Sequence, residues 1–349
     1  MAIHQNSSPE AAGARSWSRK VDLGYRWPSR YLVAWYALAG AVVVIALFQP
    51  STYQPASREL ITAIAACLLV AALGQLLVVM VGAIDLAVPG YMTLSAAINV
   101  HYVETRGPVF SFLLAVLVCA GLSAISGAMV SVLRLNALIV TLAINTMITG
   151  ALIIWMGQTF STGGRAPGWL QSIGRADVGH ISLLFLISLV LAAGLSFVVH
   201  RTRAGRQVAA SGTNPTAARL LGIRVHAVYI LAFTGAGVLY AFAGALAAGY
   251  VQTPDATLGV TYQITTLTAV AIAGATFGGG PSSVSPLVAA CVLLPLIDQS
   301  LALHDLSPGL RVVVQGVLLV VAVAAGAMTQ LGRAGLKRLM SSASTKSTP

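Results

Sequence analysis

The chain has 349 residues, of which 57% are hydrophobic and only 8% charged, with a formal net charge of +11. Soluble domains carry about 25% charge, so this composition excludes a soluble enzyme or scaffold; a mean hydropathy of +0.85 instead indicates an all-α polytopic membrane protein. Nucleic acid is not an expected partner, because the 20 basic residues lie in short stretches beside apolar runs rather than on one soluble face.

Residues 1–30 carry five basic residues and lead into an apolar run without an AxA-like cleavage end, which predicts a retained N-terminal tail rather than a secretory signal. Apolar runs long enough for a hydrocarbon layer roughly 30 Å thick then predict about ten transmembrane helices. Their approximate bounds are 31–48, 60–81, 88–103, 109–133 and 135–156, followed by 181–199, 227–251, 263–277, 284–301 and 310–329. The membrane domain is therefore expected over 31–329, with a polar segment at 200–226 and a C-terminal tail at 330–349. An even count places both termini on one side. If that side is the cytoplasm, the inner segments collect fifteen of the 20 basic residues, as the positive-inside rule requires.

Two spans are interrupted. "VGAIDLAVPG" precedes the third and "GATFGGGPSS" follows the eighth, and Gly/Pro breaks at membrane depth occur where backbone is buried in protein or lines a cavity. Each interrupted span is third in its half of five. An odd number per half predicts an inverted 5+5 repeat, and paired breaks of this kind point to a transport pathway.

Asp85 is the carboxylate at the first break. At the bilayer centre an isolated charge costs about 3 kcal/mol on insertion scales, so it needs a cavity, an interface or a partner. Either it caps the third helix through N–H groups near Ala87 and Val88, or it lines the pathway. On the fifth span Thr141, Asn145 and Thr149 recur every four residues and share a face. Such a stripe binds a hydroxylated solute or joins helices across an interface, and the same two readings apply to Asn99, Gln75, Ser95 and Thr265.

Cys67, Cys119 and Cys291 lie in apolar runs without CxxC spacing and read as small core residues. No histidine pair has ligand spacing, so no metal is expected, and neither GxSxG nor HExxH is present. The chain also lacks GxxxxGK[ST], and its three lysines all lie in the tails. Any ATP hydrolysis is thus expected from another subunit, and no cofactor is expected in this one.

Residues 209–224 read "AASGTNPTAARLLGIR". Asn214 suits an N-cap, Pro215 the first helical position and Gly222 a left-handed stop, which predicts a short terminated helix among arginines. It is either a knob for a soluble partner or an amphipathic helix on anionic lipid.

"GTNPTAARLLGIRV" resembles the cytoplasmic coupling segment of ribose-type ABC sugar importer permeases, whose pattern is close to GxNxxAARLSGI. Gly212, Asn214, Ala217, Ala218, Arg219, Leu220, Gly222 and Ile223 match. "GAIDLAVPG" is similar to the GGIDLSVG of the same family, with Gly82, Ile84, Asp85, Leu86 and Val88 in place. "NALIVTLAINTMITGALIIWMGQ" and "SLALHDLSPGLRVVVQGVLLVVAV" resemble it more loosely. The likeness runs over about residues 60–329, with departures at Ala83, Ala87, Pro215, Thr216 and "ATFGGGPSS". It implies the ABC importer permease fold in a bacterial inner membrane, a second permease subunit, a cytoplasmic ABC ATPase and an extracytoplasmic solute-binding protein. Gly212, Asn214, Ala217, Ala218, Arg219 and Gly222 would couple to the ATPase. The expected cargo is a sugar or similar polyhydroxylated solute; the rivals are a branched-chain amino acid ABC permease and an ion-coupled secondary transporter.

Overall fold

A computed structural model describes residues 31–159, 166, 168–251 and 255–324; both predicted tails lie outside these. The chain is mostly helical: α1 Val33–Phe48, a 3-10 turn at Pro50–Tyr53, α2 Pro55–Met80, α3 Val88–Arg106, α4 Pro108–Ser131, α5 Ala137–Thr159 and α6 Gly168–Arg175. A two-residue hairpin, β1 Asp177–Val178 and β2 Ile181–Ser182, leads into α7 Leu183–Arg201, α8 Arg203–Thr213, α9 Pro215–Leu220, α10 Val225–Val251, α11 Val260–Ile272 and α12 Val284–Leu303. A last helix, α13, covers Pro308–Ala324.

Each predicted apolar run contains a helix. Six of them, α2, α4, α5, α7, α10 and α12, are long and apolar enough to cross a membrane, which makes the protein an all-α, multi-pass membrane protein. Local chemistry sets several ends. Pro55, Pro89 and Pro108 stand in the first turns of α2, α3 and α4, where no intrahelical N–H is needed. The eighth run was expected to continue to Phe277, but Gly274 takes φ +78°. Its N–H donates to Ala271 O while that of Ala275 donates to Val270 O, a Schellman closure that stops α11 at Ile272. The sixth begins two residues later than expected because the Ser182 hydroxyl accepts from Leu184 N at 3.3 Å and caps α7.

Two helices form the core. α2 is buried along almost its whole length and packs on α7, α10, α11 and α12, while α10 packs on α2, α3 and α4. Small residues allow the close approach. A Cβ on Gly244 would sit 2.2 Å from Met92 O on α3, and one on Gly237 would sit 2.6 Å from Cys119 O on α4. Tyr91 and Tyr240 stack between these helices with centroids 5.7 Å apart. Outer helices α4, α5, α7 and α13 leave apolar side chains such as Leu117, Met147, Val190 and Val320 exposed, a surface suited to hydrocarbon.

The helices run back and forth, so loops gather at two ends. One end receives every described carboxylate except Asp85: Glu59, Glu104, Asp177, Asp255, Asp298 and Asp305. The other carries Arg134, Arg201, Arg203, Arg206, Arg219 and Arg224 and, among the described residues, no surface carboxylate. These are called the carboxylate end and the arginine end below.

Candidate functional site

α2 closes at the arginine end by the same device as α11. Gly82 takes φ +83°, its N–H donates to Val79 O, and the Ala83 N–H donates to Val78 O. The backbone then runs non-helically to Val88, as the Gly/Pro break predicts. Asp85 lies in this stretch, 1% exposed. Its Oδ1 accepts from Ala87 N at 2.8 Å, and its Oδ2 has no protein partner. In the orientation that satisfies both ends, the Gln75 amide donates to Asp85 O at 3.0 Å and to Tyr240 OH at 3.1 Å, and accepts from Asp85 N at 3.3 Å.

Side chains from two other helices hold the rest of the break. The Leu86 N–H donates to Thr141 Oγ1 at 3.0 Å, the Gly90 N–H to Asn145 Oδ1 at 2.9 Å, and Gln263 Nε2 to Leu86 O at 3.1 Å. Thr141 and Asn145 therefore satisfy backbone donors exposed by the interruption, as buried amides require. Thr149, half-buried, continues their face of α5 one turn further on. Asn99 lies on α3, 1% exposed; its Nδ2 donates to Ser95 O at 2.8 Å, and its Oδ1 has no protein partner. Between residues 85 and 99 two buried side-chain oxygens, on Asp85 and Asn99, are thus open to a hydrogen-bond donor. Removing the α5 clamp tests its role. Thr141→Val combined with Asn145→Ala should strand the Leu86 and Gly90 N–H groups, lowering the unfolding free energy by about 1–3 kcal/mol for each. A thermal melt of the detergent-solubilised protein, read against Thr146→Val on the exposed side of α5, checks it.

The segment 203–224 lies at the arginine end. α8 stops where Asn214 becomes the N-cap of α9: Asn214 Oδ1 accepts from Thr216 N at 3.1 Å and from Ala217 N at 3.0 Å. α9 ends at Leu220. Gly222, at φ +77°, donates to Arg219 O, and the Ile223 N–H donates to Ala218 O. Ala218 packs inward at 2% exposure, whereas Leu220 and Leu221 are 85% and 79% exposed. Ala217 and Arg219 face outward with them. Bare leucines flanked by arginines make a small amphiphilic knob.

Gly212, in the last turn of α8, is buried for a reason invisible in its motif. A Cβ there would lie 1.8 Å from Met80 O, the end of α2, and 2.8 Å from Gly280 N. Met80 O accepts from Gly280 N at 2.9 Å. A Cβ on Gly279 would lie 2.6 Å from Gly212 O, and one on Gly82 would lie 3.3 Å from Gly278 O. Three backbone segments, 80–82, 212 and 278–280, therefore meet with no side chain between them. Both sequence breaks and the arginine-rich segment converge on one junction.

A match to the family described as "Branched-chain amino acid transport system / permease component" spans residues 57–323. The chain belongs to this permease family. Its relatives agree with the resemblance drawn from residues 82–88 and 212–223. The permease is 28% identical to "Ribose import permease protein RbsC" of Haemophilus influenzae over 257 residues, covering 73% of this chain and 80% of that one. It is 27% identical to the protein of the same name from Bacillus subtilis over 285 residues, 81% and 88% of the two chains. It is also 29% identical to "Autoinducer 2 import system permease protein LsrC" of Klebsiella pneumoniae over 282 residues, 80% of each. No solved structure matches the permease.

At the carboxylate end, the structure of the permease adds a cluster that sequence spacing did not reveal. The β1–β2 turn places Gly179 and His180 at φ +62° and +63°, the primed-turn conformation of tight hairpins. Glu59, Asp177 and His180 bring their ligand-type atoms within 4.8 Å of one another. His180 Nδ1 lies 3.3 Å from Glu59 Oε1, and the His180 N–H donates to Asp177 Oδ2 at 3.2 Å. One helical turn along α2, Thr62 Oγ1 accepts from Ser182 N at 3.0 Å. Glu59 and His180 are 121 positions apart, and no periodicity links such a pair.

Proposed function

We propose that this permease is the transmembrane subunit of an ATP-binding cassette importer that moves a sugar or similar polyhydroxylated solute into the cytoplasm by alternating access. The observation that carries the reading is the unbroken contact from α9 through Gly212 to Met80, and from there along four residues to Asp85. Motion imposed on α8 and α9 reaches the interrupted segment through backbone, with no flexible side chain to absorb it. The relatives named for ribose and autoinducer 2 import support a hydroxylated cargo over a branched-chain amino acid or an ion-coupled exchange. Asp85 Oδ2 and Asn99 Oδ1 are acceptors of the type that hydroxyl donors seek, with Thr141, Asn145 and Thr149 setting the pathway wall from α5.

In this reading the bundle crosses the membrane ten times as an inverted 5+5 repeat. The mirrored packing of α2 on α11 and α12 and of α10 on α3 and α4 supports it. Both termini lie in the cytoplasm of a bacterial inner membrane with the arginine end inward. A second permease subunit shares the pathway, an extracytoplasmic binding protein delivers the solute, and a cytoplasmic ATPase docks on Gly212, Asn214, Ala217, Ala218, Arg219 and Gly222. The chain itself performs no covalent chemistry.

The test is reconstitution. In proteoliposomes holding the permease, the ATPase and the binding protein, ATP should drive uptake of a labelled sugar, and a reporter fused at residue 210 should be cytoplasmic. Asp85→Asn retains an oxygen for the Ala87 N–H while replacing the second carboxyl oxygen with an NH2 group. It should lower uptake at least about tenfold, or about 1.4 kcal/mol as a barrier, with assembly intact. Normal uptake by Asp85→Asn together with a destabilised Asp85→Ala would make Asp85 a helix cap and nothing more. ATP-independent uptake driven by a proton or sodium gradient would overturn the importer reading.

A further inference from the structure

A cavity of about 520 Å³ opens at the arginine end between the Gly82–Ile84 stretch, the α4–α5 connection, α9 and the start of α10. Its size is that of a small-molecule pocket. Arg134, Arg219 and His226 line it, and no carboxylate does. Among the described residues none of these three forms an ion pair, so Arg134 and Arg219 give the wall positive charge with no counter-charge among the described residues. Arg134 holds φ +55°, a left-handed conformation uncommon for a side chain of this kind, at the turn just beyond α4.

Two further features make this more than a basic surface. Ser131 also lines the cavity; it is 9% exposed, and its buried hydroxyl has no partner in the protein. The first turn of α5, a 23-residue helix, borders the same space through Ala137 and Leu138; the Leu138 N–H already donates to Asn136 Oδ1 at 2.9 Å, and what this end offers an anion is the positive pole of a long helix. Arginine forks and a buried hydroxyl donor at the positive end of a helix suit a phosphate group.

We propose that this cavity is an oxyanion site that takes a phosphate group, supplied either by a soluble phosphomonoester or by the headgroup of an anionic phospholipid. Arg219 of α9 and Arg134 of the α4–α5 turn are the guanidinium groups that a phosphate held there would meet. The site lies beside the proposed pathway and shares Arg219 with the outward face of α9 that carries Leu220 and Leu221. Binding to it does not depend on what the permease transports.

The test uses the full-length permease in nanodiscs. In discs of phosphatidylcholine, inorganic phosphate and glycerol 3-phosphate should raise the melting temperature saturably, and glycerol should not. Arg134→Asn keeps a residue that tolerates positive φ and should weaken the apparent affinity at least tenfold, whereas Arg203→Asn, at the same end but outside the cavity, should leave it unchanged. In discs containing phosphatidylglycerol, native mass spectrometry counts retained lipid. If the headgroup is the occupant, a lipid is retained by the wild type and by Arg203→Asn, is lost in Arg134→Asn, and suppresses the phosphate response. Should Arg134→Asn fail to fold, Ser131→Ala is read in the same two arms. The proposal is overturned if neither arm shows binding, or if the cavity variants and Arg203→Asn respond alike, which would mark the charge as a diffuse membrane-facing surface.

Discussion

Gly212→Ala is expected to abolish transport, with ATP-driven uptake falling at least about a hundredfold, equivalent to about 2.7 kcal/mol. The added methyl has nowhere to go. Its Cβ would stand 1.8 Å from a backbone carbonyl oxygen that already accepts a hydrogen bond from Gly280, and relief requires moving α2, α8 or the 278–280 loop rather than rotating a side chain. Overpacking of this sort costs about 1–3 kcal/mol and more where backbone is the obstacle. Because each of these elements borders the interruption at Asp85, the displacement should reach the pathway directly. Uptake and a thermal melt measured together check the expectation. A fully active Gly212→Ala protein of wild-type stability would mean that the three segments do not meet as described.

Gly222→Val and Arg219→Glu should each leave membrane insertion unchanged yet reduce ATPase co-purification about a hundredfold. The physical grounds differ. Gly222 has open space around it, so bulk is harmless, but its φ of +77° is one that a β-branched residue adopts only under strain. The end of α9 would therefore turn elsewhere and carry Leu220 and Leu221 with it. Arg219→Glu leaves the backbone alone and reverses the sign of a charge suited to meeting a partner carboxylate. Insertion rests on the apolar spans, which neither change touches. If both variants retain a coupled ATPase at wild-type levels, α9 is a helix on the lipid surface and the mechanical part of the proposed function falls.

Much of this arrangement was legible in the sequence, and the reasons are local. Helix ends at Asn214, Pro215 and Gly222 follow from capping chemistry within four residues. The interruption at 81–87 follows from Gly82 and Pro89, and the long apolar runs follow from hydrocarbon thickness. What was not legible depends on contacts between distant segments. The side chains of Thr141 and Asn145 reach Leu86 and Gly90, each 55 positions away, so spacing alone left solute binding and helix joining equally open. Gly212 stood in the motif as one of several matched positions, and only the approach of Met80 and Gly280 shows why no side chain fits there. α8 was hidden because Arg203–Thr213 has neither a long apolar face nor a Pro/Gly start. The pairing of Glu59 with His180 depends on a two-residue hairpin turn with no strong strand pattern beside it.

α2 is held at both ends. Thr62 and Glu59 tie its start to the β1–β2 hairpin, and Met80 ties its last residue to the junction with Gly212 and Gly280. Between Thr62 and Met80 it is one uninterrupted helix, about 27 Å at the rise of an α-helix. A helix of that length transmits displacement along its axis rather than bending it away, so the two surfaces share one mechanical degree of freedom. Thermodynamic linkage then imposes a symmetry on whatever binds them. If a ligand at the hairpin changes the affinity of a ligand at α9 by some factor, the ligand at α9 must change the affinity at the hairpin by that same factor.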